Sequence, residues 1–172
     1  MTRLGFVVTA LWAGTGCRDL SNFTTLGDSY EGCVVKGAFV RAGIDPSAAL
    51  CLTIDANHLQ DLPGTISSND GRFDGAALRP IPQIWHDPLS TLSFGEGRLK
   101  NLLYVATPNA PLDGGSGDVF VVVSLMQSGD VEVRLLRGAP NGTSPAGAEA
   151  NLFAVFDLMR KHGPCSFEQC SP

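Results

Sequence analysis

Positive charge is scarce in this chain and nowhere concentrated: 12 lysines and arginines face 17 aspartates and glutamates, for a net charge of −5. Nucleic acid and anionic membrane surfaces are held by basic patches, and the sequence offers neither of them one. Charge of both signs is thin, at 17% of residues, while 20 glycines and 11 prolines break the chain repeatedly. That combination argues against a coiled coil, a helical bundle and a disordered acidic tail. The one apolar run near the N-terminus falls far short of the ~20 residues of a spanning helix. Histidine is rare as well, with 3 in the whole chain, a small supply for catalysis or metal binding.

What is present is a chain of 172 residues, 44% hydrophobic, enough to build the core of one domain. Its start is distinctive. Met1-Thr2-Arg3 carries one positive charge, Leu4 to Trp12 is mostly apolar, and Ala13-Gly14-Thr15-Gly16 is a small-residue stretch that closes on Cys17. Those are the three parts of a secretory signal. The chain then turns polar at once with Arg18-Asp19.

Residues 1–17 resemble a bacterial lipoprotein signal, in which small residues immediately precede an invariant cysteine. Gly16 and Thr15 suit the positions before the cut, whereas Gly14 stands where that family prefers leucine. The resemblance implies a signal peptide over 1–16, cleavage before Cys17, and a lipid on Cys17 as the membrane anchor. It also implies an address. Aspartate directly after the lipidated cysteine tends to retain such proteins at the inner membrane, and Arg18 stands there instead. The expected location is therefore the outer membrane of a Gram-negative bacterium. Several acyl chains anchor stably, since each buried methylene is worth about 0.8 kcal/mol. An ordinary signal peptide cut near Gly14 to Gly16 and a buried N-terminal strand are the other readings of the same residues. Residues 17–29 become the lipidated cysteine and its tether, and 30–172 a single β-rich domain that resembles no family by its motifs.

The cysteine count agrees with export. Cys17, Cys33, Cys51, Cys165 and Cys170 make an odd set, and a lipid on Cys17 leaves four that can pair. An oxidising compartment makes two disulfides the natural expectation. Four cysteines allow three connectivities. Proximity in sequence favours Cys33–Cys51, between neighbouring strands, with Cys165–Cys170 closing a small C-terminal loop. A metal is disfavoured, because Cys165-x4-Cys170 has no second tight pair to complete a zinc site.

The rest of the chain has the periodicity of strands. Tyr30 to Arg41 carries Val34, Val35, Phe39 and Val40; Ala49 to Asp55 alternates Leu50, Leu52 and Ile54 with Cys51, Thr53 and Asp55. Asn69-Asp70-Gly71 is a tight-turn signal between Thr65-Ile66-Ser67 and Arg72-Phe73. Arg79 to Pro88 holds three prolines, which suits a loop or an edge and not a central strand. Leu89 to Phe94 and Arg98 to Ala106 resemble a hairpin around Gly95-Glu96-Gly97. The clearest hairpin joins the run Val119 to Met126, apolar on both sides except Ser124, to the run Val131 to Arg137 through Ser128-Gly129-Asp130. On the second strand Val131, Val133 and Leu135 alternate with Glu132 and Arg134, so one face is expected to meet water. Asn151 to Lys161 fits either a helix or a strand, and the hairpin before it favours a third meander strand. About seven to nine short strands predict an all-β domain, a single antiparallel sandwich or small barrel, with one C-terminal helix as the variant.

Catalytic constellations are few. Asp55, His58 and Asp61 can meet in one turn, and His86-Asp87 stands beside Trp85; a polar loop is the simpler account of each. Gly114-Gly115-Ser116-Gly117 lacks the last glycine and the following helix of a nucleophile elbow. Gly95-Glu96-Gly97 lacks the third glycine of a dinucleotide loop. No cofactor or metal is indicated. The sequence thus points to a non-enzymatic envelope lipoprotein, a lipid-anchored β-domain that binds or scaffolds another envelope protein. A carrier with a small apolar ligand inside a barrel is the alternative, and a hydrolase built on His58 or His86 with nearby carboxylates is the second.

Overall fold

The structure is a computed structural model of the chain, and it describes residues 29–35, 44–45, 47–55, 62–81, 98–110, 112, 117–138 and 152–170. Eight strands follow one another around a closed antiparallel barrel. They are β1 (Ser29–Val34), β2 (Ala49–Ile54), β3 (Gly64–Ser68), β4 (Ala76–Pro80), β5 (Arg98–Ala106), β6 (Val119–Met126), β7 (Val131–Leu136) and β8 (Leu152–Lys161). Each strand pairs with the next in sequence, and β8 closes the circle on β1 from Ser29↔Lys161 to Val34↔Phe156. The ambiguous segment after residue 151 is therefore a strand. Helix is confined there to a single 3-10 turn, Glu168–Cys170. Phe39, Val40 and the run Leu89 to Phe94 lie outside the described residues.

The alternation along each strand sorts side chains between the lumen and the outer wall. Leu102, Val123, Val133 and Phe156 meet on successive strands at one level, and Leu125, Val131 and Leu158 at another, which continues across Gly32 to Leu50, all eight side chains buried. An eight-stranded barrel has an interior just wide enough for side chains to fill. Here they fill it. A membrane-spanning barrel has the reverse polarity, apolar outside and polar inside. Glu31, Thr53, Thr65, Arg79, Glu132, Arg134, Asp157 and Lys161 all belong to the outward-facing set in this wall.

Two glycines let the wall close. Gly32 sits between Leu50 and Leu158, where a Cβ would collide with the Asp157 carbonyl oxygen and lie 2.9 Å from the Leu158 Cα. A Cβ on Gly64 would likewise collide with the Thr53 carbonyl. Backbone approach this close is open only to glycine. At the other extreme, Tyr104 is fully buried in the lumen and donates its hydroxyl to the Leu62 carbonyl at 2.9 Å. Leu62 itself lies in the left-handed region, at φ 41°, just before the chain enters β3.

Three expectations need correction. Arg79 and Pro80 end a short strand, β4, which touches β5 only at Arg79↔Val105 and Pro80↔Tyr104. The proline is tolerated because it stands at the strand's last residue, and Ile81 N–H then resumes the ladder to Leu103 O at 3.0 Å. Second, the outer side of β7 is not open to water. Glu132 and Arg134 are only 12% and 15% exposed and pair with each other at 2.6 Å. Beside them Leu103, Val122 and Leu136 face outward yet are buried, packed with Ile81, Phe120 and Leu152. Third, the disulfides are Cys33–Cys170 and Cys51–Cys165. The pairing of sequence neighbours fails because Cys33 is opposite Ala49 and Cys51 opposite Glu31, a diagonal offset on the outer wall. Diagonal positions are about 7–8 Å apart, too far for the usual disulfide span.

Candidate functional site

The most concentrated polar chemistry among the described residues lies where the chain leaves β8 and crosses the outside of β1 and β2. Cys51 and Cys33 project outward there, and each is bonded to a cysteine of the crossing segment. Between them on β1 stands Glu31, whose side chain is fully buried. Its Oε2 accepts a hydrogen bond from Lys161 Nζ at 2.8 Å and from the Ser166 backbone N–H at 2.9 Å. Burial by itself would raise the Glu31 pKa. The two hydrogen bonds and the adjacent ammonium outweigh it and hold the carboxyl below its ordinary value of 4.5. Phe167, at φ 57°, makes the bend between the two half-cystines, a conformation a bulky residue keeps only when its surroundings fix it. The arrangement is a clasp: two covalent bonds and a buried ion pair press the tail to the wall.

A second cluster sits at a barrel rim. Arg79 donates to Asp118 at 2.6 Å and to Thr107 at 3.2 Å, and the Thr107 hydroxyl donates to Asp118 at 2.6 Å. The Thr107 hydroxyl, more than the arginine, holds the Asp118 carboxyl below its ordinary range. Tyr104 is shifted the other way, well above the normal phenol range, by burial. All three shifts run away from neutrality, so none of these groups is poised to exchange a proton at pH 7.

The residues singled out from sequence are distributed unevenly. Cys33, Cys51, Cys165 and Cys170 are brought together in two pairs on one face. Asp55 directly follows β2, half-buried, with its backbone N–H on the Pro63 carbonyl at 2.7 Å. Cys17, His58, Asp61, His86 and Asp87 lie outside the described residues. His162 follows β8 and is exposed. Among the described residues no group of three or more His, Cys, Asp or Glu side chains is placed to hold a metal. Sequence reasoning missed Glu31 altogether. A lone glutamate in Ser29–Val34, between a tyrosine and a glycine, was the available signal. At the end of the barrel near Phe73 and Leu112 a cavity of about 10 Å³ remains, bordered by Leu50, Leu135 and Phe156. That is room for about one water.

Two disulfides suit an oxidising, extracytoplasmic environment. Compared with protein-family models, curated proteins and solved structures, the chain matches none.

Proposed function

We propose that this chain is a lipid-anchored envelope protein whose barrel is a non-enzymatic binding or scaffolding module. The observation that carries the reading is the packed lumen. Where Val121, Val123, Val133 and Phe156 already occupy the interior, recognition has to use the outer wall, the rims and the connecting loops. Surfaces of that kind take another macromolecule more readily than a small apolar compound, which needs a concave chamber. The lipobox-like residues before Cys17 support an acyl anchor, and Arg18 after it supports an outer-membrane address. A second envelope protein is the partner this combination fits.

Photo-crosslinking in cells tests the binding role. A photoreactive residue is placed at Thr53 or at Met159, which is 52% exposed on the outer wall. A discrete adduct with one envelope protein supports the proposal. An apolar small molecule retained in stoichiometric amount by the purified protein, seen by native mass spectrometry, would overturn it in favour of the carrier. The anchor is tested separately: Cys17→Ser should abolish palmitate labelling and release the protein from membranes, and labelling that persists refutes the lipid site.

A further inference from the structure

The order of the cysteines along the chain and their partners in the barrel are mismatched. Each strand cysteine is bonded to a tail cysteine, one bridge spanning 137 residues and the other 114, the second nested within the first. An unfolded chain has the opposite preference. The Cys33–Cys51 loop is roughly sevenfold shorter than the Cys33–Cys170 loop and closes roughly twentyfold more readily by loop-closure entropy. Cys165–Cys170 is favoured still more strongly over Cys51–Cys165. Moreover, Cys33 and Cys51 precede the tail cysteines in the chain by more than a hundred residues, so oxidation in order of appearance joins them first.

We propose that this protein is a client of a thiol–disulfide isomerase, which converts the consecutive pairs into the native nested pairs. The mispaired chain cannot simply fold around its bonds. A Cys33–Cys51 bridge would have to draw together two diagonal positions of the β1–β2 ladder, beyond the usual span of a disulfide. A Cys165–Cys170 bridge would leave the tail unattached. The fully buried Glu31 would then lose the Ser166 N–H that its Oε2 accepts, so the chain with consecutive bridges lacks both clasp and ladder.

The conversion is electron-neutral. The catalyst's thiolate attacks Cys33 Sγ and forms a mixed disulfide, and Cys51 leaves as thiolate. Cys51 attacks Cys165 Sγ, forming the first native bridge and releasing Cys170. Cys170 attacks Cys33 Sγ, forming the second native bridge and returning the catalyst's thiolate. Two disulfides are present at the start and two at the end, so no oxidant is consumed after the initial oxidation.

The test uses the full chain with Cys17→Ser, so that only four thiols react. Reduced, denatured protein is diluted into oxidised glutathione with or without a catalytic amount of protein disulfide isomerase, quenched at intervals, and mapped by peptide mass spectrometry. The expected early species carries Cys33–Cys51 and Cys165–Cys170, and the isomerase speeds formation of the native pair at least tenfold. A second variant, with Cys51→Ala and Cys165→Ala added, has no consecutive competitor, so the enzyme can speed only the oxidation itself, and its Cys33–Cys170 bond should be accelerated far less than the native pairing of the four-cysteine chain. Direct appearance of the nested bridges, unaffected by isomerase, overturns the proposal; so does equal acceleration in the two-cysteine variant.

Discussion

Glu31 shows how one side chain can serve an entire segment. Its carboxylate is useful only while ionised, because both of its partners donate. A carboxyl whose folded pKa is lowered contributes stability above its unfolded value, and that contribution is lost as pH falls through the folded value. Glu31 and Asp118 are both lowered. The barrel should therefore lose stability as pH drops below about 4.5, the ordinary carboxyl value. Glu31→Gln should flatten that acid limb in a melting-temperature profile and cost about 2 kcal/mol at pH 7, since a neutral amide cannot balance the Lys161 ammonium. An unchanged acid limb would assign the pH dependence to other carboxylates. Gly32→Ala is a sharper residue-scale case: the methyl meets backbone, which cannot rotate away. Its cost should be about 2–3 kcal/mol by chemical denaturation. Tyr104→Phe, which only strands the Leu62 carbonyl, should cost about 1–2 kcal/mol.

At the scale of elements, β6 and β7 were legible because their chemistry is periodic and their turn is short. Val119–Met126 is covered on both sides, as its two-faced apolar pattern requires. The inward set Val131, Val133 and Leu135 is buried as its alternation requires. Val133→Asp puts an unpaired charge among Val123 and Phe156 and should unfold the domain, seen as loss of the cooperative transition. Glu132→Lys reports on the other face. Alternation alone makes it silent, but it would set a second cation against Arg134 where little water reaches. A loss of about 1–3 kcal/mol is expected, and a change under a few tenths would show that the face is wet after all. Other elements were harder to see in the sequence. β4 is hidden by Pro80 at its end and the prolines beyond, and it needs only three rungs to β3 and two to β5. The clasp was invisible for a different reason: proximity along a chain is a guide to pairing before folding, and the barrel reverses it. Closure into a barrel over a sandwich depends on Ser29–Val34 meeting Leu152–Lys161, a contact between distant segments that no local pattern reveals.

For the whole molecule, the nesting of the two bridges has an energetic signature. A single cross-link of this span is worth about 5 kcal/mol through the entropy it removes from the unfolded chain. Once Cys33–Cys170 exists, Cys51–Cys165 closes only the short path that runs through it, and its added effect is about 3 kcal/mol. Replacing either cysteine pair with alanine should therefore cost about 3 kcal/mol, while replacing both should cost about 8 kcal/mol. Denaturant titrations of the three variants give this cycle directly. Additive losses would mean that the bonds act through strain or local packing in the native state instead.

Because Cys33 and Cys170 are covalently joined and β1 lies beside β8, the polypeptide is, for mechanical purposes, already a ring. A single cut at Ser128-Gly129-Asp130, where the chain turns between β6 and β7, would leave two fragments that neither separate nor lose a strand. Such a nicked protein should migrate as one species until reductant is added and then as two. A gene reopened at Gly129, with Cys170 joined to Ser29 by a linker, should encode a chain that winds into the same eight-stranded circle from a new starting point.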